Sequence, residues 1–482
     1  MYSKTSVEAT ALSIGGWQFV LIVFITQIVC LALVGTLAFI FGKTFIRNRL
    51  RHLFEDSYTS NLWEGVTGLR HLGVQWTMEN ELRSARPEAL QKPLGTHRTF
   101  PHFDGLLFSP AQLYRRALDS PVPVNIETLI GKRCERPLRI SMPIMVSAMG
   151  YGVALDKPFS MALARGTAMA GTAFNTGQGP VLQEHREKAL RMIVQYHGAP
   201  WRPPDEMLSQ ADMIEIRFGQ GANGGVASSI DAQQLPEYVL QDMGIHPGDD
   251  ARIPAGIPGI SRLNDLRKLV RRLRELGRGV PIAIKLAASH HLERDLRIAL
   301  EAEVDVLVLD GAQGGTHGST AILVDDFGLP TLAALCRAER FLSGVGVRND
   351  VSLVVSGGIR TPGDALKAVA LGADAVYLGS AALFATTHTQ ILKPLPLHPP
   401  TQIAWANGLL SGTFDEEKGA STLANFLTSC AEEIKIGLRA LGKNSVDQLV
   451  PNDLVAWDPL VAQITGVESM LLPTDDKQAS EF

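Results

Sequence analysis

Three short glycine turns each follow an apolar run that is typical of a buried strand. They are DGAQGGT (310–316) after VDVLVL, SGG (356–358) after VSLVV and LGS (378–380) after ADAVY. Glycine lets a backbone approach a ligand closely, and runs of free N–H groups bind anions. Two such turns on the last two strands of a β/α series form the usual phosphate site of a TIM barrel.

The second and third turns therefore predict a phosphorylated cofactor. One turn alone would be an ordinary tight turn, whereas two turns on neighbouring strands favour phosphate. Arg360 and Thr361 follow the SGG turn, where they would add positive charge and cap the next helix. The predicted phosphate-binding residues are Ser356, Gly357, Gly358, Gly379 and Ser380.

Lys285 interrupts the apolar strand pattern IAIKLA. An ammonium group buried in a barrel needs a partner or a function, because burying an unpaired charge is costly. In a flavin enzyme it would stabilise the negative charge that develops at the N1/C2 carbonyl edge of the ring on reduction. The structural alternative is an ion pair with Asp310 or Glu215 on other strands.

The first two predicted strands end in small and amide-bearing residues. Barrels place their ligand-binding groups at these carboxyl ends, where such residues suit the polar edge of a flavin ring. Either segment alone would be an ordinary turn. His290 and His291 follow Lys285 closely, and we interpret them as surface or substrate-loop residues. The candidate ring-binding residues are Ser147, Ala148, Met149, Asn175 and Gln178.

Composition limits the classes of function. The chain has 482 residues, 45% hydrophobic and 20% charged, with a formal net charge of −4, so it predicts no nucleic-acid surface. The arginines of KLVRRLREL suit the solvated face of a helix. Four cysteines lie far apart without metal-ligand spacing, so we expect no metal site and a reducing compartment.

An uncharged apolar run near the N-terminus predicts a transmembrane helix over residues 19–42. At about 1.5 Å per residue it would span a hydrocarbon core of about 30 Å. A cleaved signal peptide would need a basic start and a small-residue cleavage site, and neither is present. Lys43, Arg47, Arg49 and Arg51 follow the run, so residues 1–18 would be non-cytoplasmic and the rest cytoplasmic.

Beyond the span, apolar runs alternate with amphipathic stretches, which predicts an α/β fold, a (β/α)8 TIM barrel over residues 140–400. Seven strands are readable, and we expect the eighth in residues 245–260. Residues 177–212 and 219–262 would be long insertions at the active-site face. We assign the rest as a linker and irregular segment packed on the barrel (43–139), a helical C-terminal extension (401–470) and a disordered tail (471–482).

The chain resembles the FMN-binding synthase domain of glutamate synthases over about residues 140–445. The similar stretches, in order, are SAMGYG, FNTGQGP, IEIRFGQGANGG, VPIAIKLA, DVLVLDGAQGGTHGS, VVSGGIRTPGDALKAVALGADAVYLGSAAL and LANFLTSCAEEIKIGLRALGKNSVDQL. The resemblance implies FMN, and a reaction in which ammonia and 2-oxoglutarate form an imine that reduced FMN converts to L-glutamate by hydride transfer.

The resemblance also implies roles for the residues at the barrel mouth. Lys285, Asp310 and Gln178 would be catalytic, with Lys285 near the pyrimidine edge of the ring. Gly314 and Gly315 would bind the cofactor. The implied substrate-binding residues are Gln220, Asn223, Gln313, Thr316 and His317.

Departures from the family pattern limit what the resemblance implies. The family's full-length enzymes begin with an amidotransferase domain that has an N-terminal cysteine, whereas here Tyr2 precedes the predicted span, so we expect ammonia to come from a separate partner. The family's cysteine-rich segment is replaced by ATTHTQILKPLPLHPPTQI, so we expect no iron–sulfur cluster and a separate electron donor. Asn223 stands where the family has a lysine in QGAKPG, and His317 where it has a small residue, which weakens the case for a dicarboxylate substrate.

Three hypotheses remain open on sequence alone. The first is a membrane-anchored FMN oxidoreductase that aminates a 2-oxo acid. The second keeps the barrel and FMN but oxidises an amino or hydroxy acid and passes electrons to a membrane acceptor. The third is a non-catalytic flavin-binding scaffold at the membrane.

Overall fold

The computed structural model describes residues 15–246, 248–249 and 251–471. The chain divides into two compact units, residues 1–90 and residues 91–482. Most of the predicted non-cytoplasmic segment and nearly all of the predicted tail lie outside the described residues.

The first helix among the described residues of the first unit is Gly16–Glu55, in which no residue is buried. By length and composition it is able to cross a membrane, and no other helix among the described residues meets that test. The Asn61 amide donates to the carbonyl oxygens of His52 and Leu53, at 3.1 and 2.9 Å, and so stabilises the end of the helix. Shorter helices follow at Trp63–Leu72 and Val74–Ala85.

Eight parallel strands form the core of the second unit, which confirms the predicted barrel. In ring order the strands run β1, β8, β7, β6, β5, β4, β3 and β2, with β1 and β2 at the two ends of the hydrogen-bonded sheet. Their bounds are β1 Ile144–Val146, β2 Ala173–Asn175, β3 Arg191–Tyr196, β4 Met213–Arg217, β5 Ile282–Ala287, β6 Val306–Asp310, β7 Ser352–Ser356 and β8 Ala375–Leu378.

The predicted position of the missing strand was wrong. It is β3, inside the segment that we expected to be an insertion, whereas Ala251–Ile253 pairs antiparallel with Ser228–Ile230 outside the barrel. The RMIVQY run of β3 is almost entirely buried, as a central parallel strand requires. It follows a helix of only six residues, Gln183–Lys188, which is too short to show a helical period.

Helices surround the barrel and continue after it. The Glu416–Ala440 helix packs on Lys157–Ala170, where a Cβ atom on Gly166 would lie 2.8 Å from the Ala420 carbonyl oxygen. Glycine therefore permits a close crossing of the two helices. The other helices of this unit are Asp205–Ser209, Glu237–Met243, Leu263–Leu276, Leu292–Glu301, Ala321–Asp325, Thr331–Gly344, Pro362–Ala370, Ser380–Thr387 and Pro459–Thr465.

A β-hairpin closes the amino-terminal end of the barrel. Its strands, Thr128–Ile130 and Leu138–Ile140, pair antiparallel. Ile130, Leu138 and Ile140 belong to one apolar cluster with residues from the barrel interior, including Met213 at the start of β4. Because this end is filled with apolar side chains, the polar interior residues lie toward the opposite, carboxyl end. Two further antiparallel pairs join Gln91–Lys92 to Ser319–Thr320 and Leu106–Phe108 to Leu454–Ala456.

Candidate active site

A buried carboxylate, Glu215, organises the polar layer inside the barrel. Its Oε1 accepts hydrogen bonds from Asn175 Nδ2 at 3.0 Å and Gln195 Nε2 at 2.7 Å, and its Oε2 accepts one from the Tyr377 hydroxyl at 3.0 Å. Burial, and then the charge of Glu215, raise the pKa of Tyr377 well above its usual value. Tyr377 therefore stays neutral and remains a donor.

Asn175, predicted to read a flavin ring, has its amide fixed by this network. Its Oδ1 accepts from the Gly177 N–H at 3.0 Å, and its Nδ2 also lies 3.3 Å from the Tyr377 hydroxyl. The side chain is fully buried. Asn175 is thus the point at which the loop after β2 is tied to the interior network.

Lys285 lies beside the same layer and makes an ion pair. Its Nζ is 3.5 Å from Asp310 Oδ2 and 5.6 Å from the centre of the Tyr377 ring, and its side chain is 1% exposed. One of the two ion-pair alternatives from the sequence is therefore present, the one with Asp310. The pair leaves Asp310 Oδ1 buried without a hydrogen-bond partner among the described residues. An oxygen of this kind is able to accept a hydrogen bond from a ligand.

Arg217, which sequence reasoning missed, is the second cation of the interior. It ends β4, two residues after Glu215, and is 7% exposed. Its Nε donates to Gln220 Oε1 at 3.3 Å and its Nη2 to Asn223 Oδ1 at 3.0 Å. Burial lowers the pKa of Arg217 to about 10, with Asp310 and then Glu215 opposing the shift, so the group stays charged at neutral pH.

A sequence signal for Arg217 and Glu215 was available. Alternate residues of a barrel strand face the same side, and MIEIR places two opposite charges at alternate positions of an otherwise apolar run. Gln195 on β3 and Tyr377 on β8 are likewise polar residues that lie near the ends of mostly apolar strands. Polar residues at alternate positions of buried strands were the signal to follow.

The turns predicted to bind phosphate come together at the barrel mouth. Gly357 and Gly358 have φ values of 104° and 74°, which favour glycine. A Cβ atom on Gly357 would lie 3.1 Å from Gly311 N, and one on Gly315 would lie 2.8 Å from Ser380 Oγ. All three glycine turns therefore meet, so Gly315 and Ser380 belong to one site.

Two helices begin at these turns, and their N-termini differ. The helix Pro362–Ala370 is capped by Thr361, whose Oγ1 accepts from Asp364 N at 3.1 Å, as the sequence predicted. The helix Ser380–Thr387 begins at Gly379 with no side-chain cap. Its first N–H groups and its positive dipole end are thus available to an anion.

Arg360, which we expected to add positive charge beside the SGG turn, contacts side chains of neighbouring segments. Its Nη2 is 2.9 Å from His102 Nδ1 and 3.1 Å from Asp104 Oδ2, and its Nε is 3.7 Å from Asp364 Oδ2. The guanidinium group is therefore matched by acidic side chains. His102 Nε2 in turn lies 2.8 Å from the Gly358 carbonyl oxygen, so His102, which sequence reasoning missed, supports the SGG turn.

The DGAQGGT loop packs on the loop that contains Asn223. A Cβ atom on Gly221 would lie 2.1 Å from the Gly311 carbonyl oxygen, and one on Gly314 would lie 2.8 Å from Asp310 Oδ1. Gln313 Oε1 accepts from Thr331 N at 2.9 Å, while its Nε2 is buried without a hydrogen-bond partner in the part of the chain that the structure describes. Gln313 therefore has a donor for a ligand.

The outer part of that loop is held by neighbouring segments. The Thr316 carbonyl oxygen accepts from Leu94 N at 2.8 Å. The His317 ring meets the Trp405 ring edge to face, with centroids 4.8 Å apart. Burial lowers the pKa of His317, against a hydrogen bond with Asn407. Trp405, which no local sequence signal marked, thus joins the C-terminal extension to the predicted substrate loop.

The loops after β1 and β2 interlock. A Cβ atom on Gly150 would lie 2.6 Å from Gly179 N, and the Trp201 indole donates to the Gln178 carbonyl oxygen at 2.7 Å. Ser147 N donates to Leu378 O at 2.9 Å, which ties the end of β1 to β8. Ala148 and Met149 are half-buried beside them, whereas His290 and His291 are exposed.

Comparison with known proteins shows the family of this chain. A family model described as a conserved region in glutamate synthase matches residues 111–444. A glutamate synthase large subunit-like protein of Rhizobium meliloti (strain 1021) is 33% identical over 381 residues, which are 75% of this chain and 86% of the relative. The chain belongs to the glutamate synthase family.

Members of the glutamate synthase family are oxidoreductases, so this chain belongs to a family of enzymes. The archaeal glutamate synthase [NADPH] of Methanocaldococcus jannaschii is 33% identical over 380 residues, 73% of this chain and 74% of the relative. Among solved structures, a mutant of the active chimera of (S)-mandelate dehydrogenase is 18% identical with a TM-score of 0.48, covering 73% of this chain and 88% of that chain.

Proposed function

We propose that this chain is an FMN-dependent oxidoreductase that converts a 2-oxo acid and ammonia into an amino acid, as the resemblance to glutamate synthases implies. The observation that carries the proposal is the meeting of the three glycine turns with the uncapped helix Ser380–Thr387, next to the buried pair of Lys285 and Asp310. A phosphate group suits the first feature, and a redox-active ring suits the second.

The donor set fits FMN. Gly357, Gly358, Gly379 and Ser380 would hold its phosphate through backbone N–H groups, and Ser356 lies at the end of β7 beside them. Ser147, Ala148, Met149, Asn175, Gly314 and Gly315 would line its ring. Asp310 Oδ1 and Gln313 Nε2 support these assignments. Both atoms are buried without a hydrogen-bond partner among the described residues, and both belong to the DGAQGGT loop, which meets the SGG and LGS turns.

The chain's own groups would orient the substrate and stabilise charge. Ammonia and the 2-oxo carbonyl form an imine with loss of water, and a proton and a hydride then complete the amine. When bound, reduced FMN supplies the hydride. Lys285 would stabilise negative charge at the ring, and Asp310 Oδ1 would accept a hydrogen bond from the substrate nitrogen. Gln178, Gln220, Asn223, Gln313, Thr316 and His317 would line the substrate side.

Flavin content and anaerobic chemistry test this function. We expect the purified protein to be yellow and to release FMN on unfolding. Anaerobic addition of ammonia and a 2-oxo acid should reoxidise the reduced flavin and form the amino acid. A colourless protein that does not take up FMN would overturn the proposal.

A second candidate is favoured by the long apolar helix Gly16–Glu55. A flavoprotein held at a membrane is well placed to pass electrons from an amino or hydroxy acid to a membrane acceptor. In that case an amino or hydroxy acid would reduce the flavin, and ammonia with a 2-oxo acid would leave it reduced. A bound flavin that is inert to both kinds of substrate would indicate a scaffold.

The same helix underlies the proposed location. It would anchor the chain as a single-pass membrane protein, with the barrel in the cytoplasm because the basic residues lie on its C-terminal side. A separate electron donor and a separate ammonia-supplying partner complete the proposal, and no iron–sulfur cluster takes part in it.

A further inference from the structure

The interior of the barrel contains two buried cations, and only one of them has a close anionic partner. Lys285 lies 3.5 Å from Asp310. Arg217 makes no ion pair within 4.0 Å in the described ranges 15–246, 248–249 and 251–471, and its side-chain hydrogen bonds go to the neutral amides of Gln220 and Asn223. A buried guanidinium group without a carboxylate is costly, and binding an anion would relieve that cost.

The carboxylate that is close in sequence is already engaged. Glu215, two residues before Arg217, accepts hydrogen bonds from Asn175, Gln195 and Tyr377. Asp310 faces Lys285 and Gly314. The close contacts of Glu215 and Asp310 thus go to other groups, and their charges act on the guanidinium only at longer range. The guanidinium is therefore available to an anionic ligand that enters from the barrel mouth.

The two amides hold the guanidinium in one orientation. Gln220 accepts from Nε and Asn223 from Nη2, so both contacts come from a single short loop after β4. That loop is closed on itself by a pair of backbone hydrogen bonds between Gln220 and Gly224, at 3.1 and 2.8 Å. Gln220 and Asn223 are therefore positioning residues for Arg217.

Resting on the proposed function, we infer that Arg217 binds the carboxylate of the substrate and that the site prefers a 2-oxo acid with a single carboxylate and an uncharged side chain. Guanidinium is suited to a carboxylate because its N–H groups match the two oxygens. Lys285 is paired with Asp310 and Glu215 is held by three neutral donors, so among the described residues Arg217 is the interior cation left for a carboxylate, and Asn223 is neutral. A second carboxylate would therefore enter without a cation to match it.

Binding of pyruvate and 2-oxoglutarate to the oxidised protein tests this inference without turnover. Binding is measured by the change in the flavin spectrum and by the shift in thermal stability. The thermal shift does not need flavin. Wild-type protein should bind pyruvate at least about tenfold more tightly than 2-oxoglutarate. Tighter binding of 2-oxoglutarate would overturn the single-carboxylate preference.

Substitutions test the role of Arg217 itself. Arg217→Gln should weaken pyruvate binding by about 10- to 100-fold, and Arg217→Lys by less, because a hydrogen bond to a charged group is lost in the first and partly kept in the second. Arg274→Gln is the matched control, since Arg274 pairs with Asp305, the residue before β6. Pyruvate binding unchanged in Arg217→Gln would overturn the inference.

The loop variants keep the inference falsifiable if Arg217→Gln does not fold. Asn223→Ala leaves the charge but loosens the guanidinium, and should weaken pyruvate binding by about three- to tenfold. Asn223→Lys adds a cation and should raise the affinity for 2-oxoglutarate relative to pyruvate. An unchanged affinity ratio in Asn223→Lys would contradict the inference. A protein without flavin would contradict the proposed function. The role of Arg217 would still be tested, because the thermal shift measures ligand binding without flavin.

Discussion

The hydroxyl of Tyr377 on β8 donates to Oε2 of Glu215 on β4, 3.0 Å away. These two strands are four positions apart in the eight-stranded ring, so the hydrogen bond crosses the barrel interior. It joins the side of the ring that carries the LGS turn to the side that carries Arg217. The same carboxylate holds Asn175 and Gln195, so one residue fixes groups from three other strands.

Tyr377→Phe should destabilise the protein by about 1–3 kcal/mol, because it leaves a buried carboxylate with one donor fewer. Urea unfolding followed by circular dichroism would measure the loss. Tyr114→Phe, at a residue that is 68% exposed, is the control and should change stability by less than about 0.5 kcal/mol. Equal effects in the two variants would contradict a structural role for the crossing bond.

Lys285→Met should lower the reduction potential of the bound flavin. The substitution removes a buried positive charge that we expect to stabilise the reduced ring, and a loss of about 1.4–3 kcal/mol corresponds to about 30–60 mV for a two-electron couple. Spectroelectrochemistry of the purified protein would measure it. Lys367→Met is the control, because Lys367 donates to the Phe103 carbonyl oxygen outside the barrel interior. An unchanged potential in Lys285→Met would reject the proposed role.

Ser380→Asp should separate helix stability from phosphate binding. A carboxylate at the start of an uncapped helix stabilises the helix, yet it would repel a phosphate bound at the same place. We expect FMN affinity to fall on the order of tenfold or more while the unfolding temperature of the flavin-free protein is kept or raised. Ser380→Ala is the matched control without charge. If Ser380→Asp binds FMN as tightly as Ser380→Ala, the phosphate lies elsewhere.

His185 should make the fold sensitive to mild acid. Its Nδ1 accepts from Leu182 N at 3.1 Å and its Nε2 lies 3.0 Å from Ser160 Oγ, so the neutral ring carries its proton on Nε2. Burial lowers the pKa of His185 from 6.5 to about 4. Because the folded pKa is depressed, the stability contribution is present above pH 6.5 and is lost as pH falls toward 4.

At pH 5 this loss corresponds to about 2 kcal/mol, from 1.36 kcal/mol per pH unit. His185→Gln should therefore flatten the fall in unfolding free energy between pH 7 and pH 5, measured by urea titration at each pH. His246→Gln, at an exposed histidine, should leave the slope unchanged. A slope that is the same in His185→Gln and in the wild type would refute the prediction.

The apolar helix Gly16–Glu55 makes a prediction about location. The full-length chain should sediment with membranes, resist extraction by carbonate and be released by detergent, because about 20 apolar residues suffice to span a bilayer. A variant that begins at residue 91, the start of the second unit, should remain in the soluble fraction. Release of the full-length chain by carbonate alone would contradict a membrane span.

By itself, the sequence determined the barrel and the turns at its mouth. These features depend on local chemistry: the SGG turn needs glycine at positive φ, Thr361 caps the next helix, and buried parallel strands read as apolar runs. The strand β3 was missed because its run follows a helix of only six residues.

Only the tertiary structure decided which side chains meet. Tyr377 and Glu215 are 162 positions apart in the chain, and the contact of His317 with Trp405 joins the loop after β6 to the C-terminal extension. Closure of the sheet into a ring brings such residues together, and no local pattern encodes that distance. The same closure leaves Arg217 bonded to two amides and without a carboxylate within 4.0 Å among the described residues, so a buried cation lies beside the loop in which Asn223 replaces the family's lysine.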